Sequence, residues 1–208
     1  MKLFKKEKNQ IIICVDMDDT IENLIETWIN EINIKYKKHY SICDVSDWDL
    51  RKDFPDLTEE QIFKVLHDKK IYDKVSAYLD AIEYLNRLNN DIRFKIYIAT
   101  NTNYKVFSYK IDTIISKYFN FLKAEQIICI SNKQLLNCDL LIDDYDGNLI
   151  NGNYDKILIN KPYNINCKTI NLNFVNKKKD YNKDKIKRTN NWKDIYNYII
   201  QKTNKNLW

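Results

Sequence analysis

Asp16, Asp18 and Asp19 fall within four residues, in Asp16-Met17-Asp18-Asp19-Thr20, directly after the apolar run Ile11-Ile12-Ile13-Cys14-Val15. Further along, Phe94–Ala99 leads into Thr100-Asn101, Lys133 stands just after Gln126–Ile130, and Leu140–Ile142 leads into Asp143-Asp144. Carboxylates crowded together repel, and they are tolerated where they share protons or bind a cation. With oxygen ligands and no His or Cys among them the cation is hard, and Mg2+ suits it. Thr100 and Lys133 would then offer a hydroxyl and an ammonium to whatever anion the metal also holds, which together make a phosphate cradle. An extended backbone would hold the Asp16 and Asp18 side chains side by side on one face, too far apart to meet at one phosphorus in different roles, so the chain must turn beyond Val15. After such a turn one carboxylate can attack phosphorus while the other handles the proton of the leaving group.

These groups meet only if the runs before them are parallel strands, because open parallel sheets bind ligands at the carboxyl ends of their strands. Ile11–Val15 is a continuous β-branched run of the kind buried on both faces of such a sheet. Phe94–Ala99, Gln126–Ile130 and Leu140–Ile142 share its character, and Lys156–Ile159 and Thr169–Leu172 are weaker candidates. Between them lie helical patterns. Ile21, Leu24, Ile25, Trp28, Ile29 and Ile32 mark one amphipathic helix, and Tyr104, Phe107, Ile111, Ile114, Ile115 and Tyr118 another. A third runs near Val75–Leu88 through Leu79, Ile82 and Leu85, and Trp192, Ile195, Tyr196, Ile199 and Ile200 form a closing helix. Thr58-Glu59-Glu60-Gln61 reads as a capping box, with Leu57 and Ile62 as its hydrophobic staple. Strands alternating with helices give an α/β fold, a three-layer, Rossmann-like parallel sheet. The stretch between the first two strands is too long for one crossover. Residues 22–76 are therefore expected to form a small helical cap inserted after the first strand, leaving 1–21 and 77–208 as the core domain.

Composition narrows the function. Lys+Arg 34 against Asp+Glu 29 gives +5 over 208 residues, and Lys177–Arg188 alone, with seven basic and two acidic residues, carries the same excess. The rest of the chain is neutral, so no nucleic-acid polymer is expected as partner, and the basic stretch reads as a solvated loop. Two Gly in the whole chain rule out a glycine-rich phosphate loop. Five Cys without a C-x-x-C and two His (His39, His67) argue against zinc, and Cys14 and Cys129, inside apolar runs, read as small buried residues. No apolar segment is long enough to span a membrane and Met1–Gln10 does not resemble a signal peptide, so a cytoplasmic protein without membrane contact is expected.

Asp16-x-Asp18-x-Thr20 after an apolar strand, followed in order by Thr100, Lys133 and Asp143-Asp144, resembles the haloacid dehalogenase-like phosphohydrolases in all four of that superfamily's motifs. Within it, Val15–Thr20, Lys133, Asp139–Asp144 and the tail containing Arg188, Trp192 and Lys193 are similar to the 5'(3')-deoxyribonucleotidase family, from Ile11 to about Ile200. The resemblance implies that Asp16 is the nucleophile that forms an aspartyl-phosphate and Asp18 the general acid/base. It puts the phosphate on Thr100, Asn101 and Lys133, and Mg2+ on the Asp16 carboxylate, the Asp18 main-chain oxygen and Asp144, with adjacent Asp143 a ligand or a supporting group. The implied partner is a small phosphomonoester, a deoxynucleoside monophosphate; a homodimer stays open. Leu24 stands where these enzymes often carry an aromatic residue. In the expected cap, Trp48 of Asp47-Trp48-Asp49 either stacks on a base or packs the interior.

Rival readings keep the chemistry and change the substrate, to a sugar phosphate or phosphoserine, or make the chain a catalytically weak nucleotide-binding protein. A receiver-type signalling domain also uses several Asp, a Thr and a Lys on a parallel sheet. It carries its acceptor Asp on a middle strand, whereas no Asp ends Phe94–Ala99 here.

Overall fold

The computed structural model describes residues 10–172 and 184–208. Its frame grows from β1 (Ile11–Val15), whose five side chains are all buried, as suits β-branched residues in a strand covered on both faces. In chain order there follow α1 (Leu24–Tyr36), α2 (Glu59–Lys64), α3 (Leu79–Asn89), β2 (Phe94–Thr100), α4 (Tyr104–Lys110), α5 (Ser116–Tyr118), β3 (Ile127–Cys129) and β4 (Leu140–Asp143). The chain then runs through α6 (Asp146–Leu149), β5 (Asp155–Ile159), β6 (Ile170–Asn171), β7 (Ile186–Thr189) and α7 (Trp192–Asn204). The strands form one sheet in the order β3-β2-β1-β4-β5-β7-β6, with every neighbouring pair parallel. The expected α/β parallel sheet is thus present, with β1 in its interior between β2 and β4.

Alternation along β1 feeds two apolar layers. Ile11, Ile13 and Val15 join a cluster with α1, α3 and α7, through Trp28, Leu85, Ile195 and Ile199 among others. Ile12 and Cys14 face the other side, where Leu141, Leu149, Tyr154 and Leu158 gather. Residues 22–76 carry α1, α2 and short 3-10 turns at Ile42–Asp44 and Lys69–Lys74. Their entry and exit lie side by side: Glu22 bridges Ala77 antiparallel, Tyr78 N–H donates to the Ile21 carbonyl at 3.0 Å, and Asn23 N–H to that of Ser76 at 3.1 Å. The stretch buries Trp28, Ile29, Phe54, Ile62 and Ile71 in the same contiguous cluster as β1. The Thr58–Gln61 capping box forms as expected and starts α2.

Several local expectations change. Cys129 is exposed, because β3 is the short edge strand of the sheet. Leu79 is 83% exposed at the first turn of α3, which begins four residues later than Val75. The basic stretch is not a solvated loop throughout: Ile186–Thr189 is strand β7, and Lys187 is fully buried against Asp155. Residues 177–183 of that stretch lie outside the described residues, as do residues 1–9 of the basic N-terminal segment. No helix of the described residues is long and apolar enough to cross a membrane.

Candidate active site

Strand order places the chemistry. Val15 pairs with Ile98 on one side and Ile142 on the other, so the residues that follow all three strands emerge together. Asp16 N–H still donates to the Ile142 carbonyl at 2.8 Å, and the chain then turns tightly, with Ile21 N–H reaching the Met17 carbonyl at 3.0 Å. Asp19 takes the left-handed backbone conformation, φ 54°, that Asp tolerates better than most side chains. Its carboxylate accepts the N–H of Ile25 at 2.7 Å and so satisfies a free donor in the first turn of α1. The turn leaves Asp16 and Asp18 both buried at the mouth of the sheet.

The Lys133 ammonium binds the Asp16 carboxylate and, at 2.8 Å, that of Asp143. Asp143 also accepts Tyr145 N–H at 2.9 Å and the Asn148 amide at 3.1 Å. Asp144 accepts the Thr20 hydroxyl at 3.1 Å and the Tyr163 hydroxyl, while the Asn164 amide holds its main-chain oxygen at 2.7 Å. Carboxylate oxygens of Asp16, Asp143 and Asp144 lie within 4.8 Å of one another. Burial pushes Asp16 up to about 7 although Lys133 pulls the other way, and Asp143 and Asp18 add to the rise. Burial, with Asp16 and Asp143 beside it, raises Asp144 as well. One ammonium for three buried carboxylates is a charge deficit, and an all-oxygen set of this kind fits a hard divalent cation.

Asp18 faces a second ammonium. Lys110, fully buried on α4, binds Asp18 Oδ1 through Nζ and donates to Thr100 Oγ1 at 3.2 Å. Glu22 sits beside both groups with neither oxygen hydrogen-bonded, and burial and then Asp18 drive its carboxyl well above the usual range.

Two cavities adjoin here. One, of about 390 Å³, is lined by Asp16, Lys133, Asp143, Asp144, Ser131 and Arg51. The other, of about 320 Å³, is lined by Leu24, Ile25, Trp28, Leu66, Tyr72, His67 and Asn103. Asp18, Trp48, Phe63 and Asn101 line both and form the wall between them. The Trp48 ring also meets Tyr145 at 6.2 Å between centroids, so residues 22–76 touch the segment just past Asp144.

Every site residue read from the sequence therefore lies at this mouth: Asp16, Lys133, Asp143 and Asp144 in one group, Asp18 and Thr100 around Lys110, and Trp48 and Asn101 on the shared wall. The Asp18 carboxylate stands outside the three-carboxylate group. Lys110, Glu22, Phe63, Arg51 and Tyr163 were not anticipated. For Lys110 a signal exists: Val106, Lys110 and Ile114 recur at helical spacing, and the outer two are buried apolar residues. A charge on an apolar stripe asks for a buried partner.

An interior β1 followed by paired aspartates, and flanked by strands ending in Thr100 and Asp143, defines the haloacid dehalogenase-like hydrolase fold. A hydrolase of that family from Streptococcus pneumoniae matches with TM-score 0.55 at 14% identity, over 92% of this chain and 99% of that one. A hydrolase of the same superfamily from Ehrlichia chaffeensis matches with TM-score 0.52 at 14% identity, over 94% and 98%. Residues 9–205 match the family described as 5' nucleotidase, deoxy (pyrimidine), cytosolic type C protein, and the chain belongs to that family. Among curated relatives, the 5'(3')-deoxyribonucleotidase of Clostridium acetobutylicum is 30% identical over 156 residues, 75% of this chain and 85% of its own. That of Bacillus subtilis is 26% identical over 158 residues, 74% and 88%. The protein is a phosphoric monoester hydrolase.

Proposed function

We propose that this enzyme removes the phosphate from deoxyribonucleoside monophosphates, those of pyrimidines foremost, through an aspartyl-phosphate on Asp16 and with Mg2+ as cofactor. One observation carries the substrate class: the acidic cavity shares a wall of Trp48, Phe63, Asp18 and Asn101 with an apolar and aromatic cavity. A single phosphate suits the first and a flat, weakly polar group the second. The names of the relatives, deoxyribonucleotidases, agree with that pairing.

In this reading an Asp16 oxygen attacks phosphorus, the bond from phosphorus to the nucleoside oxygen breaks, and Asp18 gives its proton to the departing alkoxide. Asp18 then takes a proton from water, whose oxygen attacks the acyl phosphate, releasing inorganic phosphate and restoring the Asp16 carboxylate. Thr100, Asn101 and Lys133 bind the phosphate. Asp16, the Asp18 main-chain oxygen and Asp144 would hold Mg2+, with Asp143 beside them fixing Lys133. Bound there, the ion neutralises charge on nucleophile and phosphate. Residues 22–76 act as the cap that selects the leaving group over a core of 1–21 and 77–208.

A phosphate-release panel tests this, run on deoxynucleoside 5'- and 3'-monophosphates, hexose phosphates and phosphoserine, in EDTA and after Mg2+ is restored. Deoxynucleotides lead the panel, EDTA silences it, and Mg2+ revives it. Hexose phosphates ahead of every deoxynucleotide would overturn the substrate, and full activity in EDTA would overturn the metal.

A further inference from the structure

The helix that follows Thr100 is irregular at one place. α4 ends at Lys110, the next five residues, Ile111–Ile115, form a π turn, and α5 resumes at Ser116. A π turn takes in an extra residue and changes the direction in which neighbouring side chains project; such turns are rare and collect at functional sites. Here it comes immediately after the one lysine of the segment whose side chain is completely buried. The same ammonium touches two groups of the proposed reaction, Asp18 Oδ1 and Thr100 Oγ1. A buried lysine is costly, and a carboxylate partner on the surface would serve stability better than one inside a cavity wall. The placement points to function.

We propose that Lys110 is a positioning residue that fixes the proton-transfer group Asp18 and orients the hydroxyl of Thr100, aimed by the π turn that follows it. Held through Oδ1, Asp18 keeps Oδ2 for the proton that passes to the leaving oxygen. Thr100 Oγ1, accepting from Nζ, keeps its own O–H to donate to a phosphate oxygen. Glu22 is a second buried carboxyl beside Lys110 and Asp18, with neither oxygen hydrogen-bonded. The assignment rests on the general-acid role given to Asp18 above.

The test compares leaving groups. Wild type, Asp18→Asn, Lys110→Met and the double variant are assayed on thymidine 5'-monophosphate, whose alkoxide needs a proton, and on p-nitrophenyl phosphate, whose phenolate does not. Lys110→Met should lower kcat on the nucleotide on the order of 100-fold, the range of general acid catalysis, and should lower it far less on the aryl ester. In the Asp18→Asn background it should add little on the nucleotide, because the group it positions is gone. Since Lys110→Met leaves the buried carboxyl groups of Asp18 and Glu22 without their common cation, the Lys110→Met/Glu22→Gln variant is run beside it and should show the same leaving-group pattern. Equal losses on both esters, or full additivity with Asp18→Asn, would overturn the positioning role. Equal losses for Asp18→Asn itself would instead overturn the general-acid reading, and with it this one. If wild type hydrolyses the aryl ester but no nucleotide, the substrate class fails alone, and glycerol phosphate serves as the alkyl arm.

Discussion

The ammonium of Lys133 and the carboxylate of Asp16 form a buried ion pair at the centre of the sheet's mouth, between elements 117 positions apart in the chain. Removing one partner of such a pair strands the other, which costs about 3–5 kcal/mol. In metal-free protein Lys133→Met should therefore lose stability on that scale by urea unfolding, because Asp16 and Asp143 lose their common cation. A variant as stable as wild type in EDTA would show that the pair holds nothing in place.

Asp16 and Asp19, both lifted to about 7 by burial, titrate in the unfolded chain at about 4. Between those values the folded metal-free chain binds protons that the unfolded chain does not, so stability falls as pH rises through the window. Asp91, held low by the Arg93 guanidinium, finishes titrating below the window and does not reverse the slope. In EDTA the melting temperature should drop from about pH 5 to about pH 7.5, and Mg2+ should raise it most at the upper end, where its ligands are ionised without competition. A melting temperature that climbs over this range in EDTA contradicts the assignment.

Trp48 stands on the wall common to both cavities. If a base stacks there, Trp48→Ala should lower kcat/KM for a deoxynucleotide by the equivalent of about 1–3 kcal/mol and leave a small aryl phosphate nearly untouched. Equal loss on both substrates would mark Trp48 as a packing residue against Tyr145.

Far from the mouth, Asp155 at the start of β5 receives Lys187, Lys202 at 2.8 Å and the Tyr198 hydroxyl, all in the interior. Asp155→Ala removes the carboxylate that the two lysines share and should cost about 3–5 kcal/mol in unfolding free energy. Phosphatase activity of the folded fraction should stay near wild type. A selective loss of activity without loss of stability would refute a purely structural role.

The sequence displayed its sheet where burial leaves a plain trace: Ile11–Val15 lies between two apolar layers, and the groups after β1, β2 and β4 are those that a parallel sheet must gather. It concealed β7, because Ile186-Lys187-Arg188-Thr189 reads as charged until Asp155, 32 positions away, neutralises Lys187 inside the protein. Lys110 was hidden for a related reason. Its partners Asp18 and Thr100 are 92 and 10 positions off, so the helical spacing that marks the side chain as buried does not say what it meets. Cys129 misled because an apolar run at a sheet edge looks like one at its centre.

Asp16 is the residue that should carry the phosphoryl group taken from a deoxynucleotide. Enzyme turning over thymidine 5'-monophosphate with Mg2+ can be quenched, reduced with borohydride and mapped by peptide mass spectrometry. The aspartate reduced to homoserine should be Asp16, and Asp16→Asn should show neither this mark nor phosphate release. Turnover by Asp16→Asn, or a reduced carboxyl at another position in wild type, would contradict it.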